Sequence, residues 1–330
     1  MQHDRLGRTG SKGRVHHWQA TQTENLFRGK FFMSFSSSDI RQDICRFLSR
    51  DYVADQVRLN KALAKKSCQG AGLAADMPPI PFTGSPFTLR PGNCIALIGL
   101  NPRWNGWASK HAPIEYLPLK RSTDVIRTGH LGEIENYIGL RASYFKDDSV
   151  MYYGRYFNRL GNRINGAWRL LADTDFLRAN DARRLFQRYI FKTDVIPYFS
   201  NNTSYIDTRR LADAQKTDAA LVKYQSMTFG LLSYLKPRWI QVNGLQMEQF
   251  IRSFLDIQFT EIKLAASGRI LCGWVDLKNG SSAIPVLVHG FVGSRGGPQS
   301  DLSFGEVARS FEEFVGEPSR FTLGMNGSSS

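Results

Sequence analysis

The sharpest change in the hydrophobic pattern of the chain lies between Ile95 and Trp107. Ile95 to Ile98 are consecutive apolar residues, which is typical of a short strand buried on both faces. Gly99, Asn101 and Pro102 then interrupt the pattern and predict an irregular loop. Because open α/β sheets bind their ligands beyond the carboxyl ends of strands, this loop is a candidate functional site.

Further apolar runs predict strands at residues 189–196, 239–242, 270–277 and 284–288. Segments with helical spacing of apolar residues alternate with these runs. We therefore predict a three-layer α/β/α fold around a mostly parallel, four-stranded sheet. Loops that begin near Asn101, Asp194, Asn243 and His289 are expected to meet at one edge of that sheet. The predicted helices cover residues 38–66, 131–144, 159–172, 181–189, 219–235 and 304–315.

The chain has 330 residues, of which 42% are hydrophobic, and this is enough for a sizeable core. Residues 1–36 have no apolar period, so we interpret them as a disordered leader. Residues 317–330 end in a Gly- and Ser-rich stretch that predicts a flexible tail. We expect a single domain over residues 37–316.

The formal net charge of +14 indicates a polyanionic partner, because clustered Lys and Arg gain affinity by releasing counterions from phosphates. Nucleic acid is the first choice and a membrane surface is the second. No run of about 18 apolar residues occurs, so we expect no membrane-spanning helix.

The four cysteines include no Cys-x-x-Cys pair and no zinc-type cluster with histidine. We interpret them as free thiols in a reducing compartment, and we predict neither a metal nor a cofactor. The amino terminus lacks a signal-peptide core, so the expected location is the cytoplasm. The cysteines are Cys45, Cys68, Cys94 and Cys272.

Several short motifs occur in an informative order between residues 95 and 314. Gly99-Leu100-Asn101-Pro102 directly follows the first predicted strand, and His289-Gly290 follows the last. Phe157-Asn158-Arg159-Leu160 and Thr193-Asp194-Val195-Ile196-Pro197 lie between them. This set resembles the motifs of the uracil-DNA glycosylase superfamily: Gly-x-Asp/Asn-Pro, a histidine that begins a DNA-entering loop, Asn-Arg-Phe-Trp, and Thr-Asn-Val-Val.

The resemblance implies a DNA glycosylase of that fold, in which Asn101 holds the attacking water and His289 donates a hydrogen bond to O2 of the base. An asparagine is no strong base, so the resemblance favours a branch that relies on stabilising the leaving base. Two structural alternatives stay open. Asn101 could be a turn residue that caps the next helix, and His289 could be a partly buried histidine at a strand end.

Asp194 stands where many members of the superfamily have asparagine. A carboxylate can accept from the exocyclic N4 amine of cytosine and share a proton with N3, whereas it does not match uracil. We therefore predict a cytosine-type base, and a modified one, since removal of ordinary cytosine would destroy the host genome. The alternatives are that Asn201 or Asn202 is the base reader, or that Asp194 forms a structural salt bridge.

Aromatic residues near the motifs are candidates for stacking on a flipped base, although aromatic clusters are more often core. The predicted base-recognition residues are Asp194, Tyr153, Tyr156, Phe157, Trp104 and Asn202. The predicted DNA-binding residues are Gly99, Pro102, Arg159, Ser200, Asn201, Phe291, Ser294 and Arg295.

The expected activity is that of a monofunctional hydrolase that leaves an abasic site and acts as a monomer. No covalent adduct is expected, since the motifs contain no suitably placed lysine. Bacteriophage-replication-inhibiting DNA glycosylases imply a role in anti-phage defence; repair of uracil or mismatched bases is the alternative role. A non-catalytic DNA-binding protein with the same fold is the rival from another class, and the charge disfavours an enzyme acting on free nucleotides.

Overall fold

A six-stranded mixed sheet forms the centre of the protein in a computed structural model, with strand order β2-β1-β3-β6-β5-β4. The structure describes residues 36–74, 77–102, 126, 130–146, 154–167, 182–265, 268–277, 283–292, 297–298 and 300–316. The strands are β1 (Ile95–Gly99), β2 (Ile190–Asp194), β3 (Trp239–Asn243), β4 (Phe259–Leu264), β5 (Gly268–Val275) and β6 (Ile284–His289).

Four of the six strands are parallel and the other two are not. β1 pairs in parallel with both β2 and β3, and β3 pairs in parallel with β6. β5 is antiparallel to β6 and to β4. The predicted four-stranded sheet is therefore wrong, although the α/β class and the mostly parallel centre are confirmed. β4 was missed because it lies at the edge, where exposed and half-buried residues interrupt the apolar run.

The helices cover both faces of this sheet. The long predicted helix over residues 38–66 is in fact two helices, because Asp51 accepts a hydrogen bond from the Ala54 N–H and starts a second one. Ser36 caps the first helix. The helices are α1 (Ser37–Leu48), α2 (Tyr52–Ala62), α3 (Leu131–Ala142), α4 (Gly154–Ala167), α5 (Ala182–Tyr189), α6 (Thr208–Thr217), α7 (Ala219–Leu235), α8 (Glu248–Leu255) and α9 (Asp301–Gly316).

Alternating side chains of the strands divide the core into two layers. Ala96 and Ile98 of β1 pack with α1, α2, α3, α6, α7 and α8, on what we call face A. Ile95 and Leu97 pack with α4, α5 and α9, on face B. No helix in the described ranges is long and apolar enough to cross a membrane. Apart from Ser36, the predicted leader and tail lie outside the described residues.

The order of the strands creates a crevice between β1 and β3. From β1 the chain passes to β2 on one side, and it later returns to β3 on the other side. The loops after β1 and β3 therefore leave the sheet in opposite directions. Such a topological switch point is where open α/β sheets bind their ligands.

Asp218 holds α2 and α7 together on face A. Its carboxylate accepts from the Ala220 and Leu221 N–H groups at the start of α7 and from Arg58 Nε and Nη2 at 2.8 and 3.0 Å. We expect Asp218→Ala to lower the free energy of unfolding by about 2 kcal/mol, since both a helix cap and an ion pair are lost.

Asp207→Ala is the matched control for this measurement. Asp207 caps α6 through the Arg209 and Arg210 N–H groups, and it has no salt bridge among the described side chains. Asp207→Ala should lower the free energy of unfolding, measured with urea, by about 1 kcal/mol. Equal losses in the two variants would show that the ion pair with Arg58 contributes nothing.

Candidate functional site

Four positions at the carboxyl ends of the parallel strands form a row on face B. In the sheet register Gly99 lies opposite Asp194, and Asn243 lies opposite His289. Leu97 and Leu287, two positions before Gly99 and His289, belong to the face-B core. Ile190 and Trp239, four positions before Asp194 and Asn243, belong to it too, so the two-residue repeat of a strand places all four positions on face B. The row therefore crosses β2, β1, β3 and β6, and its middle borders the crevice at the switch point.

The carboxylate of Asp194 lies above Gly99 and is only 2% exposed. Its Oδ2 forms an ion pair with Lys192 Nζ, while its Oδ1 is buried and has no hydrogen-bond partner among the described residues. A Cβ atom at Gly99 would lie 2.2 Å from this Oδ1. Only glycine leaves room for the carboxylate at this position.

Lys192 is a site residue that the sequence interpretation missed. It precedes Asp194 by two positions, so both side chains leave β2 on the same face. Its Nζ lies 3.5 Å from the position that a Cβ of Gly99 would occupy. Two charged residues of opposite sign, two positions apart in the buried segment Ile190–Asp194, were the available signal, since charges are rarely placed in a parallel strand without a partner.

His289 belongs to a buried chain of hydrogen bonds. Trp239 Nε1 donates to Gln241 Oε1 at 3.3 Å, and Gln241 Nε2 lies 3.0 Å from His289 Nε2. The other ring nitrogen, Nδ1, lies 2.8 Å from the carbonyl oxygen of Gly290. An indole N–H can only donate, so the amide of Gln241 must turn its NH₂ group toward the imidazole. His289 Nε2 is then the acceptor, and Nδ1 carries the proton.

This network leaves His289 without a free N–H group. Burial lowers the pKa of His289 to about 4, against a smaller opposing effect of the hydrogen bond to Gly290, so the ring is neutral near pH 7. The predicted hydrogen bond from His289 to O2 of a base needs a free N–H. The one N–H of the neutral ring, at Nδ1, already donates to Gly290, and Nε2 accepts from Gln241. In this arrangement the imidazole instead fixes the start of the loop after β6.

Asn243 joins α4 to the same loop. Its Nδ2 donates to the hydroxyl of Tyr156 at 2.9 Å, and its Oδ1 accepts from the Val292 N–H at 2.9 Å. The ring of Tyr156 stacks against that of Phe291, with centroids 5.8 Å apart and planes 16° from parallel. Phe291 is 39% exposed, so this aromatic pair extends from the buried row to the surface. Burial and the nearby charge of Asp194 raise the pKa of Tyr156 to about 12, although the Asn243 hydrogen bond lowers it.

Asn101 lies where the loops after β1 and β2 run side by side. Backbone hydrogen bonds join Gly99 to Val195 at 2.9 Å and Pro102 to Ser200 at 2.9 Å. Asn101 Nδ2 makes long contacts of 3.4 and 3.5 Å with backbone carbonyl oxygens. Its Oδ1 is buried and lacks a partner within the described part of the chain. This oxygen can accept a hydrogen bond from a water molecule or a ligand.

The alternative base reader Asn202 has a local role. Its Oδ1 accepts from the N–H and the hydroxyl of Ser204 at 3.0 and 2.8 Å, which caps the short 3₁₀ turn Thr203–Tyr205. Ser200 is buried, and its hydroxyl accepts from the Asn202 N–H at 3.2 Å. Asn201 is exposed and pairs with the backbone of Gly72. These residues support the loop after β2.

The remaining predicted site residues are divided between core, surface and undescribed segments. Phe157 is buried against Phe145 and Phe186 in the face-B core, so it packs there instead of lining the row. Arg159 is exposed on α4. Trp104, Tyr153, Ser294 and Arg295 lie outside the described residues.

Neither a metal cluster nor a family relationship identifies this site. Within the described ranges, no three His, Cys, Asp or Glu side chains come close enough to hold a metal ion. The sequence matches no protein-family model and no curated protein. The chemistry of the site must therefore be inferred from its own geometry. The row and its neighbours present the buried oxygens of Asp194 and Asn101, which have no partners among the described residues, together with the Lys192 ammonium and the aromatic pair of Tyr156 and Phe291.

The buried imidazole makes a testable contribution to stability. Because the folded-state pKa of about 4 lies below the usual value of about 6.5, the unfolded chain takes up a proton between these pH values and the folded protein does not. The contribution of His289 to the free energy of unfolding should be greatest above pH 6.5. It should fall as the pH drops toward 4, by at most about 1.4 kcal/mol per pH unit. The free energy of unfolding, measured with urea at pH 7 and pH 5, should therefore change less with pH in His289→Gln than in the original protein.

His130→Gln is the control, since His130 is exposed at the start of α3. This variant should keep the pH dependence of the original protein. An unchanged pH dependence in His289→Gln would contradict the assignment of a buried, neutral ring.

Proposed function

We propose that this chain is a DNA glycosylase, similar in mechanism to the uracil-DNA glycosylase superfamily, that hydrolyses the N-glycosidic bond of a flipped, modified cytosine. The observation that carries the proposal is the buried Asp194 Oδ1, which lies above Gly99 near the switch point of the sheet and has no partner in the described part of the chain. A buried acceptor without a partner costs about 1–3 kcal/mol, which a ligand can recover by donating a hydrogen bond.

The charge of this acceptor favours an amino group over a carbonyl group. The exocyclic amine of cytosine can donate to Asp194 Oδ1, whereas O4 of uracil would place two acceptors against each other. The rings of Tyr156 and Phe291 lie beside the row and supply an apolar surface for stacking on a base. These features together support recognition of a cytosine-type base outside the duplex.

Hydrolysis needs a water molecule behind the sugar and stabilisation of the departing base. In the proposed mechanism Asn101 Oδ1, a buried acceptor, holds that water without acting as a strong base. Positive charge develops on the sugar as the bond between C1′ and the base breaks, and the bonding electrons leave with the base. Water then adds to C1′ and loses a proton, which leaves an abasic site.

A basic pair of helices provides a surface for the phosphates. α4 and α5 pack together on face B, and each carries three arginines and no acidic residue. Arg159, Arg184 and Arg188 are exposed and form no ion pair among the described residues. With a net charge of +14, this surface supports binding of nucleic acid over binding of a free nucleotide.

A modified base also fits the proposed biological role. A glycosylase for ordinary cytosine would attack the host genome, whereas a modified cytosine marks foreign DNA such as that of a phage. Anti-phage defence is therefore the role that we propose.

Base release from oligonucleotides tests this proposal. The protein should release 5-hydroxymethylcytosine or its glucosylated form in preference to uracil. An asparagine in place of Asp194 can accept from N3–H and donate to O4, so Asp194→Asn should lose at least about 100-fold on the modified cytosine and gain activity on uracil. Asp213→Asn, an exposed change on α6, is the control and should leave release unchanged.

Two results would argue against the proposal. Release of uracil alone by the original protein would indicate a repair enzyme. DNA binding without abasic sites on any of these substrates would indicate a non-catalytic binding protein.

The salt dependence of DNA binding tests the helical surface. Replacing Arg159, Arg184 and Arg188 together by Gln should flatten the plot of log affinity against log salt by about 0.7–0.9 per lost phosphate contact. The matched control removes three exposed cations from elements away from α4 and α5, by changing Arg46, Lys61 and Arg90 to Gln. If the salt dependence of binding falls equally in both triple variants, the positive charge attracts DNA in general and α4 and α5 form no specific binding surface.

A further inference from the structure

We infer that Lys192 is a catalytic and specificity-determining residue, which donates a hydrogen bond to ring nitrogen N3 of the bound base while Asp194 Oδ1 accepts from the exocyclic amine. The inference rests on the proposed function and identifies the chemical pattern that the site reads. It also supplies a donor that His289 does not offer.

The positions of the two groups carry this inference. Lys192 Nζ and Asp194 Oδ1 lie 3.5 and 2.2 Å from one point, the place of the missing Cβ of Gly99. A donor and an acceptor therefore lie side by side at the end of β1, with the carboxylate oxygen directly over Gly99. The edge of cytosine presents the complementary pair, since N3 accepts and the adjacent N4 amine donates.

Lys192 has hydrogen-bonding capacity to spare. An ammonium group has three N–H donors, and Asp194 Oδ2 is the one partner of Nζ among the described residues. The side chain is only 16% exposed, so solvent reaches the remaining donors poorly. A base edge that meets the pair of Lys192 and Asp194 would accept a hydrogen bond from one of these donors.

The same contact would assist the bond cleavage. When the bond between C1′ and N1 breaks, its electron pair leaves with the base and spreads over O2 and N3. A fixed positive charge beside N3 stabilises this anion most in the transition state, where the charge develops. Water adds to C1′, and the proton that it loses balances the charge of the released base, so Lys192 needs no net change of protonation.

Burial of this pair is difficult to explain by stability alone. Removing an ammonium and a carboxylate from water costs several kcal/mol, and such pairs seldom stabilise a fold beyond what apolar residues would. In the pair of Lys192 and Asp194 the cost is increased, because no described residue donates a hydrogen bond to Oδ1. A ligand that pairs with Oδ1 and Nζ together removes this deficit.

A binding experiment with an altered base tests the contact directly. The probes are oligonucleotides with one 2′-fluoroarabino nucleotide, whose electronegative fluorine resists cleavage, bearing either 5-hydroxymethylcytosine or its 3-deaza analogue. The analogue has C–H in place of N3 and cannot accept. The original protein should bind the N3-containing probe about 10- to 100-fold more tightly, as expected for a hydrogen bond from a charged donor. Lys192→Met should bind both probes equally.

Lys223→Met is the matched control, because Lys223 forms another lysine–aspartate pair, with Asp43 at 3.0 Å on face A. It should keep the preference for N3. If Lys192→Met proves unfolded, the double variant with Asp194→Asn removes both charges and should also lack the preference, whereas Asp194→Asn alone should retain it.

The outcomes separate this inference from the function on which it rests. Equal binding of the two probes by the original protein, or an N3 preference that survives Lys192→Met, would overturn the role of Lys192. A preference that depends on Lys192 supports it. If the original protein shows this preference and yet releases no base from cleavable DNA, the recognition stands and the glycosylase function fails.

Discussion

Gly99 and Asp194 face each other across two parallel strands, and the absence of a side chain at position 99 determines what the neighbouring residues can do. The register brings the carboxylate over the glycine, and the two-residue repeat of a strand places Lys192 beside it. Because β1 lies between β2 and β3, the same glycine borders the crevice where the loops diverge. A side chain here would displace the carboxylate to which we assign recognition of the ligand.

The polar groups in and next to the row differ in how many of their donors and acceptors have hydrogen-bond partners. Gln241 and His289 have partners for their side-chain nitrogens, and Asn243 uses both its amide groups. Fully paired polar networks hold a structure in one arrangement. Asp194 and Asn101, in contrast, each bury an oxygen without a partner among the described residues. The paired groups therefore make the framework, and the unpaired oxygens are the positions from which a ligand would be recognised.

The sequence allowed the parallel strands to be located because strands buried on both faces are continuous apolar runs, as in Ile95 to Ile98. Asp194 and His289, which end β2 and β6, could be assigned to one edge for the same reason. The order of the strands was not accessible, and it decides which side chains meet. The contact between Gln241 and His289 depends on β3 lying beside β6, which no local pattern encodes. Lys192 was overlooked because a strand interior is ordinarily a place for packing.

In the proposed function, different parts of the protein recognise the base and bind the DNA backbone. Lys192 and Asp194 form an ion pair without net charge, so the pair suits a neutral base and does not by itself attract phosphate. In this proposal the arginines of α4 and α5 supply the positive charge that binds the DNA backbone. Binding energy from the backbone can then meet the cost of unstacking a base, while the paired ammonium and carboxylate decide which base stays. Since His289 is neutral with both nitrogens engaged, we assign to the Lys192 ammonium the stabilisation of negative charge on the departing base.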